Sequence, residues 1–203
     1  MAQELVAGDR RRVNNASSIL FRRLPYMLSP QLDIYENLGP LVEGKRVLEI
    51  GFGTGLGTLQ YGDSASMVDA IEIDPAAVRF AIRCFGHEKI SWFDGDITDW
   101  DSEGIDYDFV VMIEVLEHIE FANIALSRMR SLLRPGGQVI ITVPNERRER
   151  RSDDPITFHE WTPEAFLYEL LAEHFDHPAL LGFDFEPRLD CHYDETPIIA
   201  LCS

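Results

Sequence analysis

The chain has 203 residues, and an apolar share of 45% with 10% aromatics describes one folded globular domain rather than a disordered chain. Thirty-five acids against 18 bases give a net charge of −17, which argues against nucleic acid or an anionic membrane as a partner. Cys84, Cys191 and Cys202 lack CxxC spacing, and no stretch approaches the ~20 apolar residues of a membrane span, so a disulfide framework, a zinc knuckle and a membrane helix are all argued against.

The first residues carry Glu4, Asp9 and Arg10 to Arg12 before any apolar run, so no signal core is read and a soluble, cytoplasmic protein is expected. From Ser17 to Leu38 apolar residues recur at loose helical spacing, interrupted by Pro25 and Pro30, and Gly39-Pro40 closes the segment. Residues 1–40 are therefore read as a helical cap over a main domain of residues 41–203. From Arg46 onward strand and helix patterns alternate, as in an α/β domain with a parallel sheet. Strands are predicted at 46–50, 68–73, 89–93, 107–113 and 138–143, and helices at about 55–61, 75–85, 120–133 and 162–174. Pro75 suits a first helical turn, and Arg134-Pro135-Gly136-Gly137 reads as a stop and turn before the fifth strand. Ala179 to Phe185 and Pro197 to Cys202 are strand-like with no helical pattern between them, which predicts an antiparallel hairpin at the sheet edge. The predicted fold is thus α/β, a seven-stranded, mostly parallel sheet with helices on both faces.

The strongest chemical signal is VLEIGFGTGLG, Val47 to Gly57. An apolar strand carrying Glu49 runs into Gly51, Gly53 and Gly55, which alternate before a predicted helix and let a ligand approach the backbone. Each other polar cluster also follows a strand: Glu72 the second, Asp96 the third, Glu114, Glu117 and His118 the fourth, Pro144-Asn145 the fifth. Strand carboxyl ends share one rim in an open α/β sheet, so these clusters converge on one crevice. The GxGxxG pattern of a dinucleotide site is broken at Leu56, which favours a nucleoside without phosphate. Glu72 is placed to accept from ribose hydroxyls while Asp74 caps the helix. Asp96 either accepts from an exocyclic amine, with Ile97 against the base, or caps the next turn.

The loop from Asn145 to Trp161 is long for such a connection and holds Arg147, Arg148, Arg150 and Arg151. Two readings stand: solvated arginines, or a lid that recognises an acidic group on a substrate. His118 is the leading candidate for a general base and His159 the second, since an imidazole titrates near working pH. The alternative is that Glu114, Glu117 and His118 only cap a helix and tie down their loop.

VLEIGFGTGLG, AIEIDP (Ala70 to Pro75), GDI (Gly95 to Ile97), EVLEHI (Glu114 to Ile119) and LLRPGGQVIITVPN (Leu132 to Asn145) resemble, in order and spacing, the motifs of class I S-adenosylmethionine-dependent methyltransferases. The resemblance covers about Lys45 to Asn145, and HEWTPEAF (His159 to Phe166) is similar to that family's next helix start. It implies a Rossmann-like fold, S-adenosylmethionine as methyl donor and S-adenosylhomocysteine as product. By the same resemblance Gly51, Gly53 and Gly55 would bend around the methionine and ribose, and Glu49 would orient the amino group through water or backbone. Glu72 would hold the ribose hydroxyls and Asp96 and Ile97 the adenine, with Ile73 and Glu114 also among the cofactor-binding residues. EVLEH is similar to a segment beside the acceptor in ubiquinone-biosynthesis O-methyltransferases. It is also similar to the metal-binding segment of small-RNA 3′-terminal 2′-O-methyltransferases. In the latter a later histidine completes the metal site, but Thr157 stands at that position here and His159 lies two residues on. A metal at Glu114, Glu117 and His118 is accordingly the lesser reading. The expectation is O-methylation of a small-molecule or glycan-type acceptor without metal, with His118 as base and Glu114, Glu117 and His159 beside it. Its rivals are a metal-dependent RNA methyltransferase and a non-catalytic methyltransferase-like binding protein.

Overall fold

Seven strands form one sheet in the order β3-β2-β1-β4-β5-β7-β6. They are β1 (Arg46–Ile50), β2 (Met67–Glu72), β3 (Ile90–Asp94), β4 (Tyr107–Ile113), β5 (Leu133–Val143), β6 (Ala179–Leu181) and β7 (Ile198–Cys202). This computed structural model describes residues 30–146, 157–182, 185 and 197–203. The first five strands are parallel, whereas β7 runs antiparallel between β5 and β6. The predicted terminal hairpin therefore forms, with its second strand inserted next to β5.

Side-chain alternation explains the layering. Along β4, Phe109, Val111 and Ile113 enter one core while Val110 and Met112 enter the other. The first core is covered by α1 (Pro30–Leu41), α2 (Leu56–Gly62) and α3 (Pro75–Cys84). The second is covered by α4 (Ala122–Ser131) and by α5, a π-wound run Ala165–Leu171 that continues into Ala172–His174. A π turn is wider than an α turn and brings residues five apart toward one face. Phe166 and Leu171 are both fully buried, so this winding keeps both in the core.

Three boundaries differ from the sequence reading. Pro30 opens α1 rather than interrupting it, because a first-turn proline lacks only an N–H that has no helical partner. Pro40 lies in the last turn of the same helix. The Arg134–Gly137 stretch belongs to β5: Tyr107 pairs with Leu133 and Phe109 with Gln138, so the intervening residues are taken up as a bulge. No helix among the described residues is long and apolar enough to cross a membrane.

Candidate functional site

Strand order reverses between β1 and β4, whose neighbours on their other sides are β2 and β5. In an open α/β sheet ligands bind at such a point, beyond the carboxyl ends of the strands and between the loops that leave them. On the β1 side Gly51, Gly53 and Gly55 have φ of +75°, +56° and +81°. Gly51 donates its N–H to Ile71 O at 2.8 Å, and a Cβ on it would stand 2.4 Å from Val115 Cγ2. The absence of a side chain at Gly51 is what lets the two loops touch. Glu72 ends β2 and accepts from Gly53 N at 3.0 Å through Oε2 and from Asp74 N at 3.1 Å through Oε1. Burial raises its pKa above the ordinary glutamate value, and the two backbone donors partly oppose the shift. Asp74 caps α3 by accepting from Ala76 N at 2.9 Å, as its position before Pro75 predicts. Ile73 beside Glu72 is exposed at the rim.

Asp96 makes the turn contact that was one of its two readings: Oδ1 accepts from Thr98 N at 2.9 Å and from Thr98 Oγ1 at 2.8 Å. Among the described residues its other oxygen has no partner, so capping and ligand contact are compatible. Ile97 is 3% exposed and packs into the core beneath the rim, which leaves little of it for a base. Glu49 is 1% exposed. Tyr35 donates to its Oε1 at 3.0 Å and Tyr61 to its Oε2 at 2.7 Å. Burial raises its pKa, against the pull of the hydroxyls of Thr58, Tyr61 and Tyr35. Glu49 is thus enclosed in the protein, with each oxygen held by a tyrosine hydroxyl.

On the β4 side Glu114 holds φ +56°, a conformation that a non-glycine residue adopts only when its surroundings enforce it. Thr142 of β5 enforces it. Glu114 N donates to both Thr142 O and Thr142 Oγ1 at 3.1 Å, and Thr142 Oγ1 donates to Glu114 Oε1 at 3.1 Å. A 3₁₀ turn, Leu116–His118, follows. Within it Glu117 is fully buried, and His118 Nε2 lies 3.7 Å from Glu117 Oε1. Among the described residues no group of three or more His, Cys, Asp or Glu side chains is placed to hold a metal ion.

His159 is engaged differently from His118. Its Nε2 donates to Ile119 O and Glu120 O, each at 3.1 Å, and its ring stacks on Trp161 at a centroid distance of 5.2 Å. Phe158 N and His159 N both donate to Glu117 O. His159 therefore latches the segment 157–161 onto the 3₁₀ turn, and with its Nε2 committed as a donor it does not offer that nitrogen as a base. An apolar cavity of about 230 Å³ lies beside it, lined in part by Phe121, Ile124, Trp161 and Leu170. Arg147, Arg148, Arg150 and Arg151 lie outside the described residues. Sequence reasoning missed Tyr35, Tyr61 and Thr142, whose bonds to Glu49 and Glu114 arise from tertiary packing, although Thr142 lies within the Leu132 to Asn145 motif.

A family model described as a methyltransferase domain matches residues 21–180. An uncharacterized methyltransferase of Mycobacterium tuberculosis is 34% identical over 95 residues, covering 47% of this chain and 48% of the relative. The chain spans about half the length of the curated relatives that it matches at this level. Among solved structures, a DhpI complex with S-adenosylhomocysteine is 22% identical, with 92% and 94% of the two chains covered and a TM-score of 0.70. The N-methyltransferase NodS of Bradyrhizobium japonicum, also with S-adenosylhomocysteine, is 20% identical, with 85% and 84% covered and a TM-score of 0.62.

Proposed function

This chain belongs to the methyltransferase-domain family within the class I S-adenosylmethionine-dependent superfamily, and from that premise we propose that it methylates a hydroxyl of a small-molecule or glycan-type acceptor. The observation that carries the reading is the β1–β4 switch point, where Gly51, Gly53 and Gly55 take left-handed φ after β1, Glu72 ends β2 and Glu114 follows β4. These residues suit a nucleoside without phosphate: the glycines keep side chains off the floor, and a carboxylate stands at the end of β2. Gly51, Gly53, Gly55, Glu72 and Asp96 would hold S-adenosylmethionine, which when bound supplies a methyl group already activated on a sulfonium. What remains for the chain is to align the acceptor, exclude water and take the proton that the acceptor hydroxyl loses.

His118 is assigned that proton. A Glu117 carboxylate 3.7 Å from its Nε2 would favour the imidazolium that forms, and the 3₁₀ turn that carries His118 follows β4. His159 is assigned the latch that holds this turn. Arg147, Arg148, Arg150 and Arg151 are assigned recognition of an acidic group on the acceptor, on the strength of their clustering in a strongly acidic chain.

The test is S-adenosylhomocysteine release from S-adenosylmethionine across a panel of hydroxyl and amine acceptors, paired with His118→Gln. The expected result is multiple turnover with a hydroxyl acceptor and a loss of about 10²–10⁴ in kcat in the variant at unchanged cofactor affinity. Turnover confined to amines, or full activity in H118Q, would refute the assignment.

A further inference from the structure

Glu49 is a fixed point inside the protein, with each oxygen taken by a tyrosine hydroxyl from a different helix. Tyr61 closes α2, the helix that follows the glycine loop, whereas Tyr35 comes from α1, which precedes the whole sheet in sequence. The Tyr35 ring lies directly on the first turn of α2: a Cβ at Gly57 would meet its Cε2, Cζ and Cδ2 at 2.3, 2.4 and 2.6 Å. Gly57 is therefore the seat that lets the ring reach Glu49. The Tyr35 and Tyr61 rings run parallel, 2° apart in plane with centroids 6.3 Å apart. Further along α1, Gly39 allows Ser64 Oγ to stand 3.3 Å from where its Cβ would be. Ile34 and Leu38 anchor the same helix in the core at 0% exposure. The Tyr35 hydroxyl also feels the charges of Glu114 and Glu72, the two acids that flank the crevice.

We propose that Tyr35 is a positioning residue for the cofactor site: through Gly57 and Glu49 it docks α1 on the glycine loop and makes that helix a wall of the crevice. Tyr35 and Tyr61 each give one hydrogen bond to the same buried carboxylate, but only Tyr35 carries a separate helix with it. Removing either hydroxyl costs stability, and removing that of Tyr35 also unseats the wall. The inference rests on the cofactor reading above.

Calorimetric titration of the full chain with S-adenosylhomocysteine, together with amide hydrogen exchange with and without it, separates the possibilities. In the wild type the ligand is expected to slow exchange across α1. Tyr35→Phe is expected to weaken binding about tenfold, one charge-assisted hydrogen bond's worth, and to abolish that ligand-linked protection. Tyr61→Phe is expected to lower thermal stability while keeping both affinity within about threefold and the protection of α1. Gly57→Ala, which pushes the ring off its seat and leaves both hydroxyls in place, should match Tyr35→Phe, and the two together should cost little more than either alone. A wild type that does not bind S-adenosylhomocysteine overturns the cofactor reading and this inference with it. A wild type that binds without protecting α1, or equal losses of affinity in Y35F and Y61F, overturns this inference alone.

Discussion

Gly51→Ala tests whether the crevice is built by contact between its two loops. The new methyl carbon would lie 2.4 Å from Val115 Cγ2 and 2.9 Å from Val115 Cγ1. Carbons pack at about 3.5–4.0 Å, so Val115 must retreat by about an ångström or more. Overpacking of that kind costs about 1–3 kcal/mol. The backbone adds its own penalty, since φ at Gly51 is +75° and a side chain in the left-handed region costs about 1–2 kcal/mol. The sum is about 2–5 kcal/mol, a fall in Tm of roughly 4–20 °C for a domain of this size. Urea unfolding of Gly51→Ala, Val115→Ala and the double variant divides the two contributions. Val115→Ala removes the two carbons that would lie under 3 Å away and leaves its Cβ at 3.2 Å and the φ penalty in place, so the double variant should be about 1–3 kcal/mol more stable than the sum of the single losses implies. Losses that add within about 0.5 kcal/mol would show that Val115 is not what demands a glycine at this position.

Glu72→Gln keeps one carbonyl oxygen for two backbone donors, Gly53 N and Asp74 N, so one of them loses its acceptor. Titration should show S-adenosylhomocysteine bound at least about tenfold more weakly and unfolding should show a loss of about 1–3 kcal/mol; unchanged affinity would remove Glu72 from the site. His159→Ala removes two carbonyl contacts and a ring stack, so amide exchange at positions 158 and 159 should accelerate while turnover persists; abolished turnover with native exchange rates would restore His159 as a base. Stability should also fall in two pH windows. Glu49 and Glu72 have native pKa values raised above 4.5, so the native state binds protons that the unfolded state has released, and stability declines as pH rises from about 4.5 through the native values. Burial likewise pushes the Cys202 thiol from 9.0 up to about 12 and raises Tyr35, Tyr61 and Tyr107 above 10.0, so a second decline begins near pH 9. Thermal melts across pH should show both, and Glu49→Gln should flatten the first.

The fold was legible because local patterns and tertiary packing agree in it. Buried parallel strands read as short apolar runs, and the Asp74-Pro75 start of α3 states its own cap and first turn. The proline-rich boundaries were harder, since Pro30 and the Arg134–Gly137 stretch interrupt a pattern on paper yet fit a first turn and a bulge in space. Around the candidate site, positions set by strand ends were readable: Glu72 ends β2, Asp96 follows β3 and Glu114 follows β4. Partners that arrive from other elements were not. Tyr35 lies 14 residues before Glu49 and Thr142 lies 28 residues after Glu114, and no single element holds both members of either pair, so no local period relates them. His159 shows the same limit from the other side. Its motif context was visible, but the two carbonyls that occupy its Nε2 come from a turn forty residues earlier.

The two sides of the crevice hold each other in shape, and the magnitudes show why Glu114 tolerates its backbone. A non-glycine residue in the left-handed region costs about 1–3 kcal/mol. Against this stand a shared N–H donation to Thr142 and a hydroxyl-to-carboxylate bond back from it, worth about 1 kcal/mol and about 1.5–3 kcal/mol. The contacts match or exceed the strain, so the bonds to β5 are by themselves enough to hold the conformation. Val115 follows at once and fills the space that Gly51 leaves empty. One threonine on β5 thereby fixes the acid at the rim and, through the next residue, the floor that faces it.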